Sequence, residues 1–346
     1  MARVVTARVV TGRGTGTKAA ADKTRCLRYD GTIQDRKEAS MEIALGVNTD
    51  YSGDRGSPGP ALEEIALAGF SHVMWGHHWN TDFLYTQPEI CAIASRMNEL
   101  GLFLMDTHGS SGVEKCWYSS CEYERLAGVE LIRNRVDMTV CLGGDTVVLH
   151  PMITDPSRID QWRSQGEKSL RELEQYVRNS GVSLVLENLF QSDHLEERDR
   201  SLQGFETLEY FFERFDAGYL GFCWDTGHAF ILGEKAFAWS CDLARNRLRT
   251  LHLNDNRGDA DQHSPPLTWD SPWTTIAEVI AASPYPPGKP LLFEIDARTN
   301  GGEPRSFLAG ARQKAEDFSA LVSSARSRNR AGTGNQGQPS RHGREG

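Results

Sequence analysis

Between residues 42 and 323 the chain alternates short apolar runs with longer stretches in which apolar positions recur at helical spacing. The β-rich runs are 42–47, 71–75, 102–106, 145–149, 183–187, 219–225, 249–253 and 291–295. Helical stretches are expected at 60–68, 88–99, 122–141, 159–179, 203–214, 234–245, 273–281 and 306–323. The clearest is 159–179, where Ile159, Trp162, Leu170, Leu173 and Val177 fall on one face among charges. Eight strand–helix units in about 280 residues predict an α/β fold, a single (β/α)8 TIM barrel, for which about 250 residues is typical. A doubly wound open sheet would use fewer strands and carry a glycine fingerprint after the first, which this chain lacks.

The two ends read differently. Residues 1–40 are rich in Arg, Thr, Gly and Ala without periodicity, and 324–346 in Ser, Arg, Gly, Asn and Gln. The expected layout is a disordered leader at 1–40, a barrel at 41–323 and a disordered tail at 324–346. Met41 directly precedes the first strand-like run, so a chain starting there is the other reading of the leader. The Gly12-x-Gly14-x-Gly16-x-Lys18 stretch continues into Ala19 and opens no helical pattern, so it reads as flexible chain and not as a phosphate loop.

With 39% hydrophobic and 25% charged residues, most of the chain can bury a core. No apolar run approaches the roughly 18–20 residues of a membrane span. The opening residues lack the apolar stretch of a secretory signal. Seven cysteines scattered from Cys26 to Cys241 do not form a disulfide framework, and a reducing cytoplasm is the expected location. Cys116 and Cys121 read as reduced thiols. Cys223, two before Asp225, should face the barrel interior by strand alternation. The leader carries nine Lys+Arg against four Asp+Glu and 324–346 five Arg against one Glu, so the segment between them holds −18 within a total of −9.

Chemistry gathers where the runs end. His108 follows the third run and His150 the fourth. Glu187 ends the fifth. Asp225 ends the sixth, with His228 three residues on. His252 lies in the seventh, followed by Asp261 and His263, and Glu294 lies in the eighth. In a parallel barrel all these ends converge on one face. Any one of them alone reads as a cap or a satisfied polar group. Together they would bury so many ionisable groups that a cation is the natural compensation. Carboxylate and imidazole donors suit Mn, Zn, Co, Fe or Mg and argue against a thiolate site.

This series, in this order, resembles the xylose isomerase-like barrel superfamily over about residues 42–322. That group includes sugar isomerases and epimerases, inosose dehydratases and endonuclease IV-type abasic-site nucleases. For epimerase-like members the resemblance implies one divalent cation on Glu187, Asp225, His252 and Glu294, with Glu187 and Glu294 as the catalytic proton carriers. For nuclease-like members it implies a three-zinc cluster that also uses His108, His150, His228, Asp261 and His263, so one to three cations are expected; in a sugar-acting enzyme the same five, His228 foremost, would contact substrate instead. The loop Ser264-Pro-Pro-Leu-Thr-Trp-Asp-Ser-Pro departs from the Gly-rich turn many sugar-acting relatives have after the Asp-x-His.

The expected function is therefore a metal-dependent isomerase or epimerase for a sugar, sugar phosphate or cyclitol. A glutamate would move a proton through a metal-stabilised enediolate. The alternatives are an inosose-type dehydratase and a tri-zinc abasic-site phosphodiesterase. A body at −18 is poorly built to grip phosphates, which disfavours nucleic acid as a partner. A polyol or ketose is the expected substrate, with no membrane partner, and a homo-oligomer is compatible with the sequence. Trp75, His77, His78, Trp79 and Trp224 are read as mouth residues able to wall a sugar ring. Asn188 is expected to orient Glu187 or bind substrate, and Arg257 to contact substrate oxygens.

Overall fold

The computed structural model describes residues 43–53, 58–76, 84–110, 116–151, 156–189 and 197–334. Eight strands, β1 (Leu45–Asn48), β2 (His72–Trp75), β3 (Phe103–Ser110), β4 (Thr146–Leu149), β5 (Ser183–Glu187), β6 (Leu220–Asp225), β7 (Leu248–His252) and β8 (Leu291–Phe293), form one sheet. Its order is β7-β6-β5-β4-β3-β2-β1-β8, and every laddered pair is parallel. The seam between β7 and β8 is closed by hydrogen bonds from Leu253 N–H to Leu292 C=O (3.0 Å) and from Glu294 N–H to Leu253 C=O (3.1 Å). Parallel neighbours need a crossover, and each is helical. The helices are α1 (Pro58–Leu67), α2 (Gln87–Leu100), α3 (Glu122–Leu142), α4 (Ile159–Ser180), α5 (Glu197–Phe212), α6 (Thr226–Ile231), α7 (Glu234–Arg247), α8 (Trp273–Ala282), α9 (Ala297–Asn300) and α10 (Pro304–Gly334).

All eight expected strands and eight helices are present. The short helices α6 and α9 are additional, and α10 runs to Gly334, past the boundary expected at 323. The leader at 1–40 and residues 335–346 lie outside the described residues. No helix among the described residues is long and apolar enough to cross a membrane.

Strand alternation splits the core in two. Outward-facing Val147, Leu149, Leu184, Leu186, Phe222 and Leu251 join the helices in one large apolar layer. Inward-facing Val148, Val185 and Cys223 form a separate small cluster inside the barrel, as the Cys223 reading requires. Above that inner plug the same inward positions turn polar.

Two features shape the α3–α4 region, one at the helix ends and one between the helices. α3 and α4 end on Gly143 and Gly181, both at φ 79°, a left-handed conformation that glycine reaches without strain. Between these helices the buried Arg125 donates to Glu122 (2.9 Å), Ser169 (2.8 Å) and Glu172 (3.0 Å).

Candidate metal centre

The C-terminal ends of β5, β6 and β7 and the first residue after β8 bring Glu187, Asp225, His252 and Glu294 together. One donor atom from each lies within 4.8 Å of all the others, and all four residues are buried. His252 Nδ1 is 3.0 Å from Glu187 Oε2 and 3.0 Å from Glu294 Oε2. Yet His252 Nδ1 and Glu294 Oε2 have no hydrogen-bond partner among the described residues. Two donors about 3.0 Å apart are what bonds of roughly 2.1 Å at right angles would leave. The donor set, three carboxylates and one imidazole, fits a divalent cation.

The other expected ligands cluster around this group. His150 Nε2 lies 3.1 Å and His108 Nε2 3.8 Å from Glu187 Oε2. His108, Glu187 and His252 form one set of convergent donors, and Asp225, His228 and His263 another. His228 Nδ1 is 3.3 Å from Glu187 Oε1, and its Nε2 is 3.2 Å from Asp261 Oδ2. His263 Nε2 is 3.1 Å from that same Asp261 oxygen. All nine residues singled out at the strand ends therefore meet on one face.

Local structure explains the placement. Asp225 ends β6 and also caps α6, accepting from His228 N–H at 2.7 Å. The cap sets His228 in the first helical turn, on the cluster side, so capping and clustering are the same feature. Asp261 and His263 sit on an excursion pinched off by a two-residue antiparallel bridge. Asp255 N–H donates to Ser264 C=O (2.9 Å) and Ser264 N–H to Asp255 C=O (2.8 Å). His263 has φ 45°, a conformation that costs a non-glycine residue on the order of 1 kcal/mol or more. Its carbonyl is tied down by Asp296 N–H at 2.9 Å.

Charge within the cluster is redistributed by burial and by neighbours. Burial acts to raise Glu187, but the charges of His252 and His150, the hydrogen bond from His150 and the nearby His108 imidazole hold its carboxyl well below the usual range. Burial likewise opposes ionisation of Glu294, and His252 and His263 bring it down to about 2. Asp225 goes the other way, pushed up to about 7 by burial, with His228 only partly offsetting. Burial disfavours a proton on His263, yet Asp261 lifts it to about 10. Without a cation, protonated imidazoles balance the carboxylates. With one, those protons must leave.

Several expected substrate contacts lie elsewhere. Trp224 falls between inward-facing Cys223 and Asp225, so alternation turns it outward. It is fully buried, with Nε1 donating to Ser240 on α7 at 3.1 Å. Trp75 pairs in register with outward-facing Thr107 and is buried, its Nε1 donating to Tyr85 Oη at 3.1 Å. Both tryptophans belong to the sheet–helix layer and do not wall the mouth. The Asn188 amide is tied to the Asp225 backbone, donating to its C=O (2.8 Å) and accepting from its N–H (3.0 Å). It fastens β5 to β6, and these two bonds set its orientation. Arg257 is exposed and stacks its guanidinium 4.2 Å over Trp269. His77, His78 and Trp79 lie outside the described residues.

Other residues carry the site without an obvious signal in the sequence. Asn254 Nδ2 donates to Asp225 Oδ2 at 2.8 Å. The Asn48 side chain accepts from Ile295 N–H at 2.9 Å, joining β1 to β8 beside Glu294. Asp106, two before His108, is buried inside the barrel. A parity count along each strand, i−2 from every cluster residue, would have found Asp106.

The fold is a barrel of eight parallel strands with acid and imidazole side chains gathered at one mouth. Residues 62–316 match the family described as xylose isomerase-like TIM barrel, and the chain belongs to that family. It is 27% identical over 295 residues to the uncharacterized protein y4fM of Sinorhizobium fredii, covering 78% of this chain and 90% of that protein. Among solved structures, an L-ribulose 3-epimerase superposes with a TM-score of 0.60 at 18% identity, covering 86% of this chain and all of that one. A D-tagatose 3-epimerase-like protein superposes at 0.64 and 17% identity, covering 82% and 99%. At these identities the likeness is one of fold.

Proposed function

We propose that the protein is a divalent-metal-dependent isomerase or epimerase acting on a sugar or cyclitol, with Glu187 and Glu294 as its proton carriers. The observation that carries this reading is the convergence of Glu187, Asp225, His252 and Glu294 within 4.8 Å. The epimerase names attached to structures of the same fold support it. When bound, the cation would hold a carbonyl oxygen beside a neighbouring hydroxyl and stabilise the negative charge that develops there as the intervening C–H loses its proton. The residues do the rest. Neighbouring imidazoles hold Glu187 and Glu294 in the ionised form in the cation-free cluster, and a cation on the same oxygens would favour that form too, the one a proton acceptor needs. One carboxylate takes the proton from carbon. The other, having drawn a proton from solvent, returns one to the opposite face to give the epimer. Return to the adjacent carbon would give the isomer. Asn188 and Asn254 fix Asp225 at the backbone and the side chain, so its carboxylate is held toward the other three ligands.

The test is turnover of a panel of ketoses and inososes by Glu187→Gln and Glu294→Gln. Each variant should lose about two to four orders of magnitude in kcat while keeping the circular dichroism of the parent. Normal activity in either would remove the proton-transfer assignment.

One observation favours a second reading. Three overlapping sets of convergent donors, including His108 with Glu187 and Asp225 with His228 and His263, suit a three-cation phosphodiesterase acting on abasic DNA. Three zinc ions per chain together with nicking of abasic duplex would select it. The −18 of the barrel segment weighs against a polyphosphate partner.

A further inference from the structure

His252 faces two ways. Its Nδ1 looks toward Glu187 and Glu294. Its Nε2 looks down the barrel, where Asp106 Oδ2 is 3.9 Å away. A neutral imidazole carries one N–H, so an imidazole that offers its Nδ1 lone pair to a cation must keep its proton on Nε2.

Asp106 is placed to hold that proton. It is fully buried on the inward face of β3. Its Oδ2 accepts from the Thr250 hydroxyl, and Thr250 is itself two residues before His252 on β7. Asp106 Oδ1 has no hydrogen-bond partner among the described residues, and neither does His252 Nε2. A buried carboxylate with an unused oxygen and a buried ring nitrogen with no partner are each costly alone. Here the ring nitrogen faces the same carboxylate through Oδ2, the oxygen that also accepts from Thr250, about 1 Å beyond the usual N–H···O distance of roughly 2.9 Å.

Taking the cluster to be a cation site, we propose that Asp106 is a positioning residue that holds the Nε2–H of His252 and so keeps Nδ1 aimed at Glu187 and Glu294. Asp106 touches neither substrate nor cation. It acts through the ring, and Thr250 fixes the carboxylate from the far side.

The experiment titrates Zn2+ and Mn2+ calorimetrically into the chelator-treated full chain. The proteins compared are the parent, Asp106→Asn, Thr250→Val and Asp106→Leu combined with Thr250→Val. Imidazole 15N shifts of the chelator-treated proteins, recorded at a pH where His252 is neutral, report its tautomer before any cation fixes it, assigned by its loss in His252→Gln. Asp106→Asn and the double variant should bind about 10–100-fold more weakly, and His252 should no longer hold a single Nε2–H form. Thr250→Val should move the same way by less. Parent-like affinity in the Asp106 variants would overturn the proposal, as would weakened binding with the tautomer unchanged, which marks a merely structural role. If the Asp106 variants do not fold, parent-like binding by Thr250→Val decides against it and weakened binding with a mixed tautomer decides for it. A parent that binds neither ion removes the cation reading itself, and this proposal with it.

Discussion

A methyl group on Gly227 would lie 1.8 Å from Asn254 Oδ1 and 2.8 Å from its Cγ. Only a residue without a side chain lets Asn254 reach Asp225 across the turn between β6 and α6. Gly227→Ala should therefore push Asn254 off Asp225 Oδ2 and cost about 1–3 kcal/mol from overpacking, seen as a fall of several degrees in Tm together with weaker cation binding. An unchanged Tm would show that the turn has slack. His72, at the opposite end of the barrel, supplies a pH signature. Burial holds its imidazole down to about 4, whereas an unfolded histidine titrates near 6.5. Between those values the unfolded chain binds the extra proton, so His72 contributes stability that is complete above about 6.5 and is lost as pH falls toward about 4. Urea unfolding at stepped pH should show a shallower decline over that window in His72→Gln than in the parent. Equal slopes would contradict the assignment. At this scale the sequence reading is uneven for a physical reason. The nine ligand-type residues were visible because strand ends converge. Trp75 and Trp224 were misplaced because position near a strand end was considered without its parity.

Elements were legible where burial repeats. The eight strands and eight main helices show in the alternation of apolar and mixed stretches, and their bounds fall within a few residues of the expected ones except that β3 runs on to Ser110, α5 begins at Glu197 and α10 ends at Gly334. α6 and α9 are shorter than two full turns, too short to show a period, and exist because Asp225 and Asp296 cap them. The Ser, Arg and Asn content at the end of α10 predicts a tail. In the structure Ala325 is buried and Arg326 donates to Pro287 C=O at 2.9 Å, so the apolar face of the helix outlasts its polar composition. The loop joining β7 to α8 could not be read from local propensity at all. It is knotted around one buried side chain. Asp255 accepts from Thr268 N–H (3.0 Å), Trp269 N–H (2.7 Å), Ser271 Oγ (2.5 Å) and Trp273 Nε1 (3.0 Å). The same residue's backbone closes the excursion bearing Asp261 and His263. Asp255→Ala would leave those donors without an acceptor, and at about 1–3 kcal/mol for each buried unpaired group it should destabilise by at least ~3 kcal/mol. Chemical denaturation would show this as a lower midpoint at unchanged m. A loss under 1 kcal/mol would mean that the loop is held by other means.

For the molecule as a whole, the barrel is a device for concentrating charge that no isolated element could hold. Its apolar layer and inner plug support a mouth in which three carboxylates and an imidazole converge with almost no solvent. The excess negative charge of the barrel segment is consistent with such a mouth and with a neutral polyol or ketose as its guest. The central claim is a cation at that convergence. It is tested most directly by anomalous diffraction from crystals of the chain soaked separately in Mn2+, Co2+ and Zn2+. The account predicts an anomalous peak bonded to Glu187, Asp225, His252 and Glu294 at roughly 2.0–2.2 Å. Crystals that take up none of the three ions at that point, with the four side chains still facing one another, would contradict it.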